Sequence, residues 1–167
     1  LFPVSSTNAL GHTTTFEYDY RFGAVKKLTD PNGRVNVNVT DDFGRTVATK
    51  ISHPDNPTQL LTVTTYNYQL ENYPVHVTTT QYLNHDGIEI VSRTYMDGLG
   101  RTIQARAETE GTHQYIVANT TYDPRGNVKK SFLPVVQSGI DFQSLDETAL
   151  GNETTYDGIG RAVKVTN

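Results

Sequence analysis

Five aspartates stand in like settings along this 167-residue chain: Asp19, Asp41, Asp97, Asp123 and Asp157. Each is followed three or four positions later by a glycine: Gly23, Gly44, Gly100, Gly126 and Gly160. Asp30 and Gly33 repeat the spacing in a turn-only form. Carboxylates of this kind could serve acid–base chemistry or calcium binding. A catalytic centre needs one converging constellation, whereas this unit recurs along the sequence. A calcium loop carries several oxygen donors per turn, and these turns carry one or two. The unit therefore reads as a turn cap. Asp bonds the backbone two residues on, and Gly supplies a positive φ.

Arg34, Arg45, Arg101 and Arg161 each follow a turn glycine. The guanidinium fork suits a carboxylate partner, so these arginines are expected to cross to the next hairpin's aspartate and build a ladder. The five histidines (His12, His53, His76, His85 and His113) are scattered, with no spacing that fixes a metal. His76 and His85 are placed to meet across a hairpin as a polar pair. There is no cysteine, no Gly-x-Ser-x-Gly elbow and no phosphate-cradling glycine loop. No catalytic, cofactor-binding or metal residue is assigned, and no cofactor is expected. Tyr18, Tyr95, Tyr122 and Tyr156 precede the turns. They are expected to stack on one another along a sheet, with an exposed sugar-stacking platform as the competing reading.

Strands must position these turns. The chain has 25 Thr and 10 Tyr but no Trp, a composition suited to pleated, half-buried surfaces. In 33–40 the alternation is strict, with Val35, Val37 and Val39 on one face and Asn36 and Asn38 on the other. Further strands are expected over 60–70, 75–83, 88–95, 101–107 and 114–122, with turns at 71–74, 85–87 and 109–112. His53-Pro54-Asp55-Asn56-Pro57 reads as a loop. Residues 134–152 read as an irregular insertion, with at most a short helix over 144–150 capped by Ser144 and Glu147. The whole, 1–167, reads as one all-β segment of antiparallel hairpin repeats forming a curved, spiralling sheet, with no domain boundary.

The formal net charge is -4, and nucleic acid is not expected as a partner because phosphate binding needs a clustered basic face. No apolar run approaches the roughly 18–20 residues that span a bilayer. The start Leu1-Phe2-Pro3-Val4 lacks signal-peptide character, and the chain reads as a piece of a longer protein.

The residues Asn8-Ala9-Leu10-Gly11-His12-Thr13-Thr14-Thr15-Phe16-Glu17-Tyr18-Asp19 resemble the tyrosine-aspartate (YD/RHS) repeat consensus. So do Arg21-Phe22-Gly23, Leu28-Thr29-Asp30-Pro31-Asn32-Gly33 and Tyr95-Met96-Asp97-Gly98-Leu99-Gly100-Arg101. The phrasing is most similar to the RHS region of SpvB-like proteins and of the B component of bacterial Tc (insecticidal) toxin complexes. It covers most of 8–50, 92–132 and 152–167; segments 52–91 and 134–152 match no such pattern. The resemblance implies a secreted or surface-borne bacterial protein whose sheet winds into a hollow cocoon around a toxic polypeptide. Its partners would be neighbouring RHS repeats of the same parent chain, partner toxin subunits and the encapsulated cargo. The wall is then scaffold and not enzyme. Some family members carry an aspartyl autoprotease near the end of the RHS core, but no such region is identified, so no catalytic residue is carried over. The alternative implied by surface YD proteins is a binding module for carbohydrate or a protein receptor.

Overall fold

The computed structural model describes residues 2–83, 87–109 and 113–167. Its described residues form strands, turns and bends, with no helix. In order they are β1 (Ser5–Thr7), β2 (Thr13–Asp19), β3 (Ala24–Thr29), β4 (Val35–Thr40), β5 (Thr46–Ser52), β6 (Leu60–Gln69), β7 (Val75–Leu83), β8 (Ile88–Met96), β9 (Thr102–Glu108), β10 (Gln114–Tyr122), β11 (Val128–Phe132), β12 (Val135–Ser138), β13 (Gly151–Tyr156) and β14 (Ala162–Thr166). Neighbouring strands follow chain order through β11, then β13 and β14, while β12 pairs with β10. The described pairings are antiparallel. The protein is thus an all-β array of hairpins. The expected turns at 85–87 and 109–112 fall largely outside the described residues.

Contacts gather the chain into two compact units. One comprises Leu1–Asn67 with Thr79–Glu89, the other Tyr68–Thr78 with Ile90–Asn167. In the first, Val35, Val37 and Val39 are half-buried along β4, and Phe2, Phe16, Tyr18 and Tyr20 cluster with ring centroids 4.9–6.5 Å apart. Side chains there remain largely half-buried, because a lone sheet layer covers only what its own neighbours cover.

The second unit holds a true core. Tyr95, Tyr115, Val117 and Phe132 are buried, together with Gln104 and Arg106. The expectation of an irregular insertion at 134–152 holds over 139–150, which carries no strand or helix, and is corrected at Val135–Ser138, which is a strand. Chain 128–138 runs along β10 as an interrupted strand. Its first part pairs with Thr120–Tyr122 and its second with Gln114–Val117. The break is at Leu133-Pro134, where proline has no N–H for the ladder. Residues 139–149 then fold back over β8–β10 as a strap, tied down at Gly139, Ile140 and Gln143. The sequence allowed at most a short helix over 144–150, and none forms there. Instead Asp146 accepts the Thr148 N–H at 2.9 Å and a turn closes from Ala149 N–H to the Asp146 carbonyl at 3.1 Å. An Asp that bonds its own backbone locally competes with helix formation.

Candidate functional site

The recurring corners share one geometry. In the 41–45 turn the Asp41 carbonyl accepts the Gly44 N–H at 3.1 Å, and the Arg45 carbonyl accepts the Asp41 N–H at 2.9 Å. The Asp41 carboxylate accepts the N–H groups of Phe43 and Arg45 through one oxygen. Its other oxygen accepts Arg45 Nε at 2.7 Å. Asp97 with Arg101 and Asp157 with Arg161 repeat this arrangement. Asp123 does so with Asn127 as the partner. Asp30 makes the two backbone contacts, to Asn32 and Arg34. Asp19 caps a turn one residue longer and is gripped by Arg21. The glycines Gly23, Gly33, Gly44, Gly100, Gly126 and Gly160 have φ between 67° and 91°.

The arginines therefore do not form the expected ladder to neighbouring aspartates. Each of Arg45, Arg101 and Arg161 turns back on the aspartate four residues before it. The local partner wins because the turn already brings that carboxylate within reach, so pairing orders one side chain and no second strand. The grip holds the carboxyls below their ordinary values. The cause is first the backbone N–H of Arg101 for Asp97 and of Arg161 for Asp157. For Asp19 it is first the Arg21 side chain, and for Asp123 first the Asn127 amide. At Asp41 burial pushes the other way, and the Arg45 side chain and backbone outweigh it.

Neighbouring corners are coupled through tyrosine. Tyr122 donates its hydroxyl to the Thr102 carbonyl at 2.8 Å, and Tyr156 to the Val128 carbonyl at 2.9 Å. Both acceptors lie two residues after the preceding corner's glycine. Tyr18 donates to the Pro3 carbonyl at 3.0 Å. Arg101 lies over the Tyr122 ring, 4.4 Å from its centroid. The expectation that the cassette tyrosines stack on one another is thus corrected. Tyr18 packs on Phe2, Phe16 and Tyr20, and the hydroxyls of Tyr122 and Tyr156 reach backbone carbonyls, because a half-buried phenol needs a partner for its O–H.

Under the strap lies a polar cluster that composition and spacing did not reveal. Arg93, Tyr95, Gln104, Arg106, Tyr115 and Val117 share one face, since Arg93 and Tyr95 stand opposite Arg106 and Gln104, and Arg106 opposite Val117. Arg106 is 1% exposed. Its guanidinium donates to Gln104 Oε1, the Gly139 carbonyl and Gln137 Oε1 at 2.9–3.0 Å. Burial pushes it below the ordinary arginine value. Arg93 donates to Asp141, and Tyr95 to the Ile140 carbonyl. Two arginines directly opposite would repel, and Asp141 offsets that. The His76 ring lies 5.0 Å from Tyr95, and its Nδ1 is buried with no hydrogen-bond partner. His85, its expected neighbour, lies outside the described residues.

Gln104 and Gln137 also line a cleft of about 250 Å³ with Asn119, Phe132 and the strap's Gln143. A groove of about 580 Å³ in the first unit is lined by Ile51, Pro54, Leu61, Val63 and Tyr82, with His53, Gln59 and Thr62 as its polar members. Among the described residues, no three His, Asp or Glu side chains gather as a metal site would require.

No curated protein matches the chain. The family described as Domain of unknown function (DUF6443) matches residues 66–164, which takes in Arg106, the strap and three of the corners. The chain belongs to the DUF6443 family.

Proposed function

We propose that the chain is scaffold, a segment of the wall of an RHS/YD-type toxin shell, secreted or surface-borne, that encloses a toxic polypeptide and performs no chemistry itself. One observation carries the reading: the corner carboxylates are occupied by their own turns, five of them doubly, by backbone N–H groups and by an arginine or asparagine side chain. Carboxylates engaged in this way serve to bend strands. Hairpins that lean on their neighbours suit an extended wall. Limited proteolysis of the full parent protein tests the reading. A polypeptide protected in the closed protein and digested once the wall is opened is the expected result. A parent with no enclosed segment would overturn it.

A second reading is a surface binding module. Tyr20 and Tyr73, each 73% exposed, are aromatic surfaces of the kind that stack sugars. A glycan array on the chain, repeated with Tyr20→Ala and Tyr73→Ala, separates the two. Binding that both substitutions abolish would favour the module.

A further inference from the structure

The amide network beneath the strap has a direction. Arg106 can only donate, so each amide that meets it turns its oxygen inward. Gln104 Oε1 accepts Arg106 Nε at 2.9 Å, and Gln137 Oε1 accepts Arg106 Nη2 at 3.0 Å. Gln104 therefore presents its Nε2 onward, and Asn119 Oδ1 accepts it at 2.8 Å. These bonds leave the NH2 ends of Asn119 and Gln137 turned away from the groups that fix them. Neither NH2 meets an acceptor among the described residues. Neither is shut off from solvent, because His76 Nδ1 is the one side-chain polar atom among them that is both buried and unpartnered. Both residues line the cleft of about 250 Å³ beside the strap. Two amide donors thus open on one cleft, and a buried arginine, 1% exposed, sets their orientation from behind.

The adjoining part of the network shows what such donors hold. Arg106 Nη1 donates to the Gly139 carbonyl at 2.9 Å, Tyr95 to the Ile140 carbonyl at 2.9 Å and Gln104 Nε2 to the Gln143 carbonyl at 3.0 Å. The Gln143 N–H returns to Gln104 Oε1 at 3.2 Å, so one side-chain amide pairs with both polar groups of a main-chain residue. The sheet grips the strap through its main chain. The cleft continues this face, since Asn119 stands opposite Gln104 in the pairing of β9 with β10. Phe132 and Leu145 form apolar walls, and Asp146 lies on the strap side. The Thr148 hydroxyl holds the Asp146 carboxyl below its ordinary value. That charge opposes a carboxylate ligand and suits an N–H. A peptide unit supplies both an oxygen for the amides and an N–H for the carboxylate, and carries no charge. At about 250 Å³ the space falls below the roughly 300–1,000 Å³ of sites for drug-sized molecules and suits a short stretch of main chain.

We infer that the cleft is a second main-chain subsite beside the strap, which takes a peptide unit of an extended polypeptide, its carbonyl bonded by the Asn119 and Gln137 amides. Recognition through main-chain groups tolerates many sequences. It selects an extended partner, because the carbonyls of a folded one already pair with its own N–H groups. Peptide binding here rests on the amide geometry and not on the shell reading. It holds even where the parent protein encloses nothing, and it can fail where an enclosed segment is found.

Two conservative substitutions remove the outward donors and keep the inward bonds. Asn119→Asp still accepts from Gln104, and Gln137→Glu still accepts from Arg106. The probe is N-acetyl-tetraglycine amide, uncharged and without side chains, titrated into the full chain labelled with nitrogen-15. Weak, saturable binding that shifts the side-chain NH2 resonances of Asn119 and Gln137 is expected. The double variant should bind roughly tenfold or more weakly, from the loss of two hydrogen bonds. Should that variant not fold, the NH2 shifts of the unmodified chain still decide the matter. Methyl glucoside and acetate are titrated in parallel. Shifts of both NH2 pairs by either of these and not by the peptide, no movement of the pairs with peptide, or undiminished affinity in a folded double variant overturns the inference.

Discussion

At the residue scale the corner glycines separate two physical demands. Gly33 has φ +78° and open space around it, whereas Gly44 has φ +80° and a Cβ there would come within 2.6 Å of the Phe22 ring. Gly33→Ala should cost about 1–2 kcal/mol from the left-handed backbone alone. Gly44→Ala should cost more, because Phe22 must leave its place, and urea unfolding of the two variants checks the order. The corner aspartates set the response to acid. Asp19, Asp41, Asp97, Asp123 and Asp157 have lowered pKa values in the folded chain. A depressed carboxyl contributes stability that is present above the unfolded value of about 3.9 and is lost as pH falls through the folded one. Thermal melting should therefore be flat in its carboxylate contribution above about pH 5 and fall steeply below about pH 4. Asp97→Asn should flatten part of that fall, because one of the responsible groups no longer titrates.

At the element scale the couplings between hairpins can be tested one at a time. Tyr122→Phe removes the hydroxyl that reaches Thr102 and leaves the ring under Arg101. It should cost about 0.5–1.5 kcal/mol, the net worth of one hydrogen bond, measured by denaturant unfolding. The strap depends on Arg106. Arg106→Ala would orphan acceptors on Gln104, Gln137 and Gly139 and open a cavity beside Val117. A loss of about 3–5 kcal/mol is expected, with faster hydrogen exchange over 135–145. Asp141→Ala, at a side chain 92% exposed, should cost far less, since an exposed ion pair contributes about 0–1 kcal/mol. A loss as large as that of Arg106→Ala would mean that repulsion between Arg93 and Arg106 outweighs the hydrogen bonds and packing that Arg106 supplies.

At the scale of the whole molecule, stability is unevenly distributed. Side chains of β9 and β10 alternate between buried and accessible, with Gln104, Arg106, Tyr115 and Val117 inward. Every residue of β1 and β14 is exposed. Native-state hydrogen exchange should find the slowest amides in β9 and β10 and the fastest among strand residues in β1 and β14. Uniform protection along the chain would contradict the reading that each hairpin is held chiefly by its neighbours.

Local chemistry alone settled much of this protein. An Asp, a Gly three or four residues on and flanking Thr, Tyr and Val make a corner between two strands wherever they occur, because carboxylate capping and positive φ are short-range effects. That is why the end of β10 at Tyr122, just before the Asp123 corner, could be read from sequence. The tertiary structure decided what depends on partners distant in the chain. The arginines close on their own aspartates because the folded turn presents them first. The tyrosine hydroxyls reach carbonyls one hairpin away. Residues 134–152, which lack any periodic pattern, become a strand and a strap, because Arg106, Gln104 and Tyr95 wait 31 to 45 positions earlier for their carbonyl and amide groups. Nothing in the local order of those residues encodes that meeting, since it arises only when β8, β9 and β10 lie side by side.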